Sequence, residues 1–240
     1  MNVRDDGRND TDEGIIGDDF ASTLDELKHS GCALLLTGDV SATVRATQTR
    51  RLFGDPAIDR ERVLVLTDTT RTKYIDNLPD GLSPDHPSVH LLNYRALLRA
   101  DGESSVPDTP ILAASDPETA TVSDLDDLHE TITDTITTIE TRSTFLAAGK
   151  LRIGLTDLGV LLDLYGIDRT ESFVQSIGTI VRDRRGMGFF YLAAANDDPI
   201  VQSLLPYFDI HIALHESPSA PARHRWYLPE YDLTSGWLPV

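Results

Sequence analysis

LLTGDVSATVRATQTRRLFG, residues 35–54, decides how the rest of the chain is read. It continues an apolar run, CALLLTG (32–38), that has no alternation and stops at a glycine. Such a run is the mark of a strand covered on both faces. After a short loop, SATVRATQTRRLFG (41–54) reads as a helix, with Ser41 as its N-cap, Gly54 at its end and Asp55-Pro56 beyond. A buried strand, a tight loop and a helix form the opening unit of a parallel α/β sheet.

The unit repeats outward from this stretch. RVLVLTD (62–68), SVHLLNY (88–94), LRIGLTD (151–157) and GFFYLAAA (188–195) are further strands buried on both faces, and PILAAS (110–115) is a short strand or connector. Helices are predicted over 20–28, 95–100, about 122–148, 169–185 and 198–208. In the long one, Leu125, Leu128, Ile132, Ile136, Ile139 and Phe145 fall mostly three or four apart, on one core-facing stripe. The last two strands, DIHIALHE (209–216) and HRWYLPE (224–230), are close enough to form a hairpin. The expected fold is α/β, a three-layer sandwich with a mainly parallel sheet and an antiparallel C-terminal edge. Residues 1–17 read as an acidic flexible tail and 18–240 as one domain.

Charge narrows the function classes. Asp and Glu number 39 against 21 Lys and Arg, for a net charge of −18. Such a surface repels phosphate backbones and anionic lipid, so nucleic acid is not an expected partner. Lys28, Lys73 and Lys150 are the only lysines. Few lysines, many aspartates and high negative charge fit a protein that folds in molar salt, where dense carboxylates stay hydrated and their repulsion is screened. Cys32 is the only cysteine, which rules out an intrachain disulfide and a cysteine-built zinc site. With no apolar leader at the start and no stretch of about 18 apolar residues, neither secretion nor membrane spanning is expected, and a cytoplasmic location is.

Ligands of such sheets bind beyond the carboxyl ends of the strands, so the loop after the first strand is the place to test. A phosphate loop reads G-x-x-x-x-G-K-[ST], with glycines to wrap the phosphate, lysine to neutralise it and a hydroxyl for Mg²⁺. From Gly38 the register runs Gly38-Asp39-Val40-Ser41-Ala42-Thr43-Val44-Arg45, and only the first glycine matches. Thr43 replaces the second glycine, Val44 the lysine and Arg45 the hydroxyl. Asp39 adds a carboxylate near the anion's place, and Val40 and Val44 resist the positive φ values of a phosphate nest. What remains is a helix N-terminus capped by Ser41.

In the order of its features the chain resembles the KaiC/RecA-like ATPases. There is the initial strand and loop, then VLVLTD, then IGLTDLGVLL, then a helix ending IVRDRRGMGFFYLAAA, then YFDIHIALHE. The opening GCALLLTGDV…RRLFGDP…RVLVLTD and the ending SGWLPV resemble those of an uncharacterised family of degenerate KaiC-like proteins of haloarchaea. The resemblance implies that Asp157 sits in the segment that organises Mg²⁺, with Thr156 in the metal-binding position itself, and that Asp68 falls near a catalytic glutamate. It also implies assembly across the nucleotide site, hence a protein partner or self-association. Two functions follow. One is a non-catalytic regulatory or scaffolding module that acts by protein contacts and needs no cofactor. The other is an ATPase with an atypical loop, binding ATP and Mg through Gly38, Ser41, Thr43, Arg45, Asp68 and Asp157.

Other constellations have structural readings. His211 and His215 share a strand face while Glu216 points the other way, which does not make a metal site without a bulge. Arg182, Arg184 and Arg185 close a helix whose dipole they complement, with glycine expected to supply the C-cap. Ser41, Ser143 and Ser172 lack a nucleophile elbow. Asp197-Asp198 before Pro199 is a helix start with Asp198 as N-cap. Trp226, Tyr227, Tyr231 and Trp237 either cover the sheet or anchor a partner.

Overall fold

Every residue of the first strand, Cys32–Thr37, is buried, as its unbroken apolar run requires. The computed structural model of the chain describes residues 17–67, 74–94, 120–122, 124–142 and 146–240. Along them run α1 (Asp18–Ser30), β1 (Cys32–Thr37), α2 (Ala42–Phe53), β2 (Glu61–Leu66), β3 (Val89–Tyr94), β4 (Ala120–Val122) and α3 (Leu125–Arg142). Then come β5 (Leu151–Leu155), α4 (Gly159–Asp183), β6 (Met187–Leu192), α5 (Pro199–Leu204), β7 (Ile210–Ser217) and β8 (Ala220–Leu228). Two short strands, β9 (Leu233–Thr234) and β10 (Leu238–Pro239), end the chain.

The strands form one mixed, mostly parallel sheet in the order β10-β8-β7-β1-β6-β5-β2-β3-β4, with β9 pairing β8. From β7 to β4 every pair is parallel. β8 runs antiparallel to β7 and to β10, so the expected antiparallel edge is present. Alternate residues of the strands feed two cores. One packs Leu35, Val63, Ile153 and Phe190 under α3, α4 and α5. The other packs Leu34, Leu64, Phe189 and Ile212 under α1 and α2. Five stripe residues of α3, from Leu125 to Ile139, are each at most 3% exposed. Each contributes about 2 kcal/mol of burial.

The elements depart from their sequence reading where a single side chain sets a boundary. The long helix begins at Leu125 and ends at Arg142. Its start is fixed by Asp124, whose Oδ1 accepts from the backbone N of Asp126 and Asp127, and Val122, expected to open it, belongs to β4. Helix α4 starts ten residues earlier than expected, at Gly159, and is two helices joined at Gly166, where φ is 74° and ψ 175°. At its end the left-handed residue is Arg185 (φ 48°), not the expected Gly186. Gly186 answers a close approach instead, since a Cβ there would lie 3.1 Å from the Leu151 backbone oxygen. The expected helix 95–100 and strand 110–115, together with Phe145, Ser143 and residues 1–16, lie outside the described residues.

Candidate functional site

The direction of the crossovers locates the site. From β1 the chain crosses over α2 toward β2, and from the neighbouring β6 it crosses over α5 to β7, on the far side of β1. The two helices pack against opposite faces. Adjacent strands whose connections leave in opposite directions open a crevice at their carboxyl ends, where ligands of open α/β sheets bind. Gly38, Tyr191 and the Ser41 turn lie at this place.

The loop is shaped by steric fit rather than for wrapping an anion. Gly38 has φ 131°, and a Cβ on it would stand 2.4 Å from the Leu214 carbonyl oxygen on β7. Between Gly38 and Arg45 it is the only residue with positive φ. A run of N–H groups converging on a phosphate needs more than one. Ser41 caps α2 as expected, its hydroxyl accepting from Val44 N at 3.4 Å.

The anion at this helix terminus comes from the chain itself. Ser41 N donates to Glu216 Oε2 at 2.6 Å, and Ser41 Oγ donates to Glu216 Oε1 at 3.0 Å. The carboxylate thus takes the N–H and hydroxyl of the capping residue, at the favourable end of the helix dipole, where a phosphate would otherwise sit. Glu216 lies at the end of β7, where the ladder to β8 shifts register between His215 and Ser217. Asp39, which the sequence put forward as the intruding charge, is exposed.

Arg45, in the hydroxyl position of the phosphate-loop register, is engaged by an aromatic ring. Its guanidinium lies over the ring of Tyr191, 5.1 Å from the centroid, a cation–π contact. The Tyr191 hydroxyl donates to the Gly38 carbonyl, and burial pushes its pKa up to about 12. Thr43 is exposed in the first turn of α2, and its carbonyl accepts from Thr47 Oγ1.

The acidic segment after β5 is bound into the fold. Asp157 Oδ1 accepts from Gly159 N at 2.7 Å and so starts α4. Its backbone carbonyl accepts from Thr67 Oγ1, and its N–H donates back to the same hydroxyl. Thr156 Oγ1 accepts from Thr67 N at 3.0 Å. Asp68 lies outside the described residues. Beneath the loop, fully buried Thr37 donates to Asn196 Oδ1 at 2.6 Å and meets His211 Nε2 at 2.7 Å. Burial and the nearby Arg225 lower the His211 pKa to about 4, so the ring is neutral. With the Thr37 hydroxyl donating to Asn196 Oδ1, the tautomer that fits has His211 Nε2–H donating to Thr37 Oγ1.

A family model matches residues 31–214. The chain belongs to the Family of unknown function (DUF7504). The match begins just before β1 and ends at Leu214, so it takes in the Ser41 turn, Tyr191 and Asp157 but stops two residues short of Glu216. No curated protein matches this member of the family.

Several of the remaining candidates make contacts within the fold. Among the described residues no three His, Cys, Asp or Glu side chains gather as a metal site. His215 packs edge-on against Trp237, whose ring Arg225 covers at 5.0 Å. Arg182 bonds Asp209 at 2.8 Å and the Tyr207 carbonyl, and Arg184 pairs with Glu140 at 3.0 Å. Asp198 caps α5 through Ile200 N, as its sequence indicates. The two roles missed from sequence are those of Glu216 and Tyr191. The only available signal was their position at the carboxyl ends of strands beside β1.

Proposed function

We propose that this member of DUF7504 is a non-catalytic regulatory or scaffolding module on a KaiC/RecA-like core, acting through protein contacts, with its phosphate place filled by its own carboxylate. The observation that carries the reading is Glu216 on Ser41 N and Oγ, at 2.6 and 3.0 Å. Expelling that carboxylate to admit an anionic phosphate exchanges one charge-assisted pair for another and leaves Glu216 repelling the newcomer. Asp157 accepting from Gly159 N and Arg45 lying over the Tyr191 ring support the same reading, since both side chains are engaged within the fold. The KaiC/RecA-like part is supported by the strand before the loop and the strand before Asp157 lying one strand apart, with β6 between them.

Titration calorimetry with Mg-ATP and Mg-GTP in molar KCl tests it. The wild type gives no heat up to millimolar nucleotide, while sedimentation at the same salt shows self-association or addition of a partner. Micromolar nucleotide binding that is lost in Arg45→Ala would overturn the proposal and leave the atypical ATPase in its place. Gly38→Ala is a poor control, because its Cβ would strike the Leu214 carbonyl.

A further inference from the structure

At the opposite end of the sheet, Arg152, the second residue of β5, and Met187, the first of β6, face a cleft of about 300 Å³. Cations from four elements line it: Lys28 from α1, Arg51 from α2, Arg60 from the segment before β2, and Arg152. No carboxylate lines it. Asp25 pairs with Lys28 along α1 at 3.5 Å, and Asp55 lies near Arg60, but neither faces the cleft. In a chain of net charge −18, a wall whose charged groups are all cations is the reverse of the overall balance.

Arg152 makes the cleft more than a basic patch. It is 6% exposed, and its Nη1 donates to the Met187 thioether, a weak acceptor. Its Nε is buried with no hydrogen-bond partner. Among the described residues no carboxylate pairs with it. Arg62, buried more deeply still, also has an unpartnered Nε, but its Nη atoms donate to the carbonyls of Arg60, Asp55 and Ile58. Burial, with Arg60 and Arg62 nearby, lowers the Arg152 pKa to about 10, so the cation persists at neutral pH. Cys32 does not balance it, because burial raises that thiol to about 12 and keeps it neutral. An uncompensated buried cation is costly, and a fold keeps one where an anion completes it.

We propose that this cleft binds a phosphate-class oxyanion, free or carried on a small organic molecule, with Arg152 as the buried anchor and Lys28, Arg51 and Arg60 around it. A tetrahedral dianion accepts hydrogen bonds from several directions at once, which suits cations arriving from four elements. His224 Nδ1 faces Gln48 Oε1 at 3.0 Å, so that nitrogen carries the proton and the Gln48 amide keeps its own N–H donors for the cleft it lines. Half-buried Trp226 adds a flat ring beside these groups for an organic portion. The site is separate from the Ser41 turn and does not depend on whether that turn binds nucleotide.

Thermal unfolding of the full chain tests this, in molar KCl at constant ionic strength, with inorganic phosphate or adenosine monophosphate added. At ten times the dissociation constant the wild-type Tm rises by about 3–6 °C. Arg152→Met removes the rise, and Arg51→Ala or Arg60→Ala weakens binding roughly threefold or more. If Arg152→Met does not fold, those two variants carry the test. A response to the monophosphate alone assigns the site to an organic phosphate, and a response to both assigns it to the phosphoryl group itself. No shift with either probe overturns the proposal. So does an equal shift in Arg152→Met, which is the general effect of an excluded salt.

Discussion

Buried uncharged histidines make the chain acid-sensitive residue by residue. His211 and His224 are 7% and 6% exposed. Burial, with Arg225 beside the first and Arg51 beside the second, lowers each from 6.5 to about 4. The unfolded chain therefore takes up their protons near pH 6.5 and the folded chain only near pH 4. Their contribution is fully present above pH 6.5 and is lost as pH falls to 4, by about 3 kcal/mol each. Urea unfolding at stepped pH should show this, and His224→Gln, which keeps an amide against Gln48, should shrink the loss in that window by a similar amount. An unchanged pH profile would mean that His224 titrates normally. The same scale shows where sequence reading stops. Asp39 and Val44 were visible as faults in a phosphate loop, but the carboxylate that fills the place is Glu216, 175 residues away in sequence. No local pattern joins Ser41 to Glu216; only the pairing of β1 with β7 does.

Elements are legible in proportion to how much periodic burial they carry. β1, β2, β3, β5 and β6 show as apolar runs and β7 as half of a hairpin, and their ends lie within a few residues of expectation. β4, β9 and β10 have two or three residues each, too few to show a period. In α4 the strand-like LRIGLTD obscures a first helix that starts at Gly159, whose N–H donates to Asp157, and Gly166 separates it from the second, expected one. Inside β5, Gly154 illustrates how one strand position serves a neighbour. Its missing side chain admits the rings of Phe189 and Phe53, which meet edge to face with centroids 4.9 Å apart. A Cβ there would lie 2.4 Å from Phe189 Cε2 and 3.1 Å from Phe53 Cζ. Gly154→Ala should therefore cost about 1–3 kcal/mol by overpacking, read as a lower urea midpoint at constant slope. Phe189→Leu in the same background should recover part of the loss, because it removes the ring the new methyl strikes. Independent, additive losses would show that the ring is not what the glycine serves.

Over the whole molecule the governing quantity is charge. With 39 acids against 21 lysines and arginines, the folded chain holds its carboxylates closer together than the unfolded one does, so repulsion opposes folding. The screening length is about 10 Å in 0.1 M salt and about 3 Å in 1 M, so most of that repulsion vanishes over this range. The Tm should rise by several degrees between 0.1 and 1 M KCl and flatten above, and the rise should be the same in NaCl, because screening depends on ionic strength and not on the cation. A general salting-out effect would keep climbing through 3 M and follow the identity of the anion. A Tm independent of salt below 1 M would sink the molar-salt reading of the composition. The cationic cleft adds a sharper test at this scale. Screening weakens the attraction between its arginines and phosphate as salt rises, while the fold itself gains, so phosphate affinity and thermal stability should move in opposite directions along one KCl series. Movement in the same direction would mean that the cleft is held open only by the folded state that salt supports, and that its cations are not what phosphate meets.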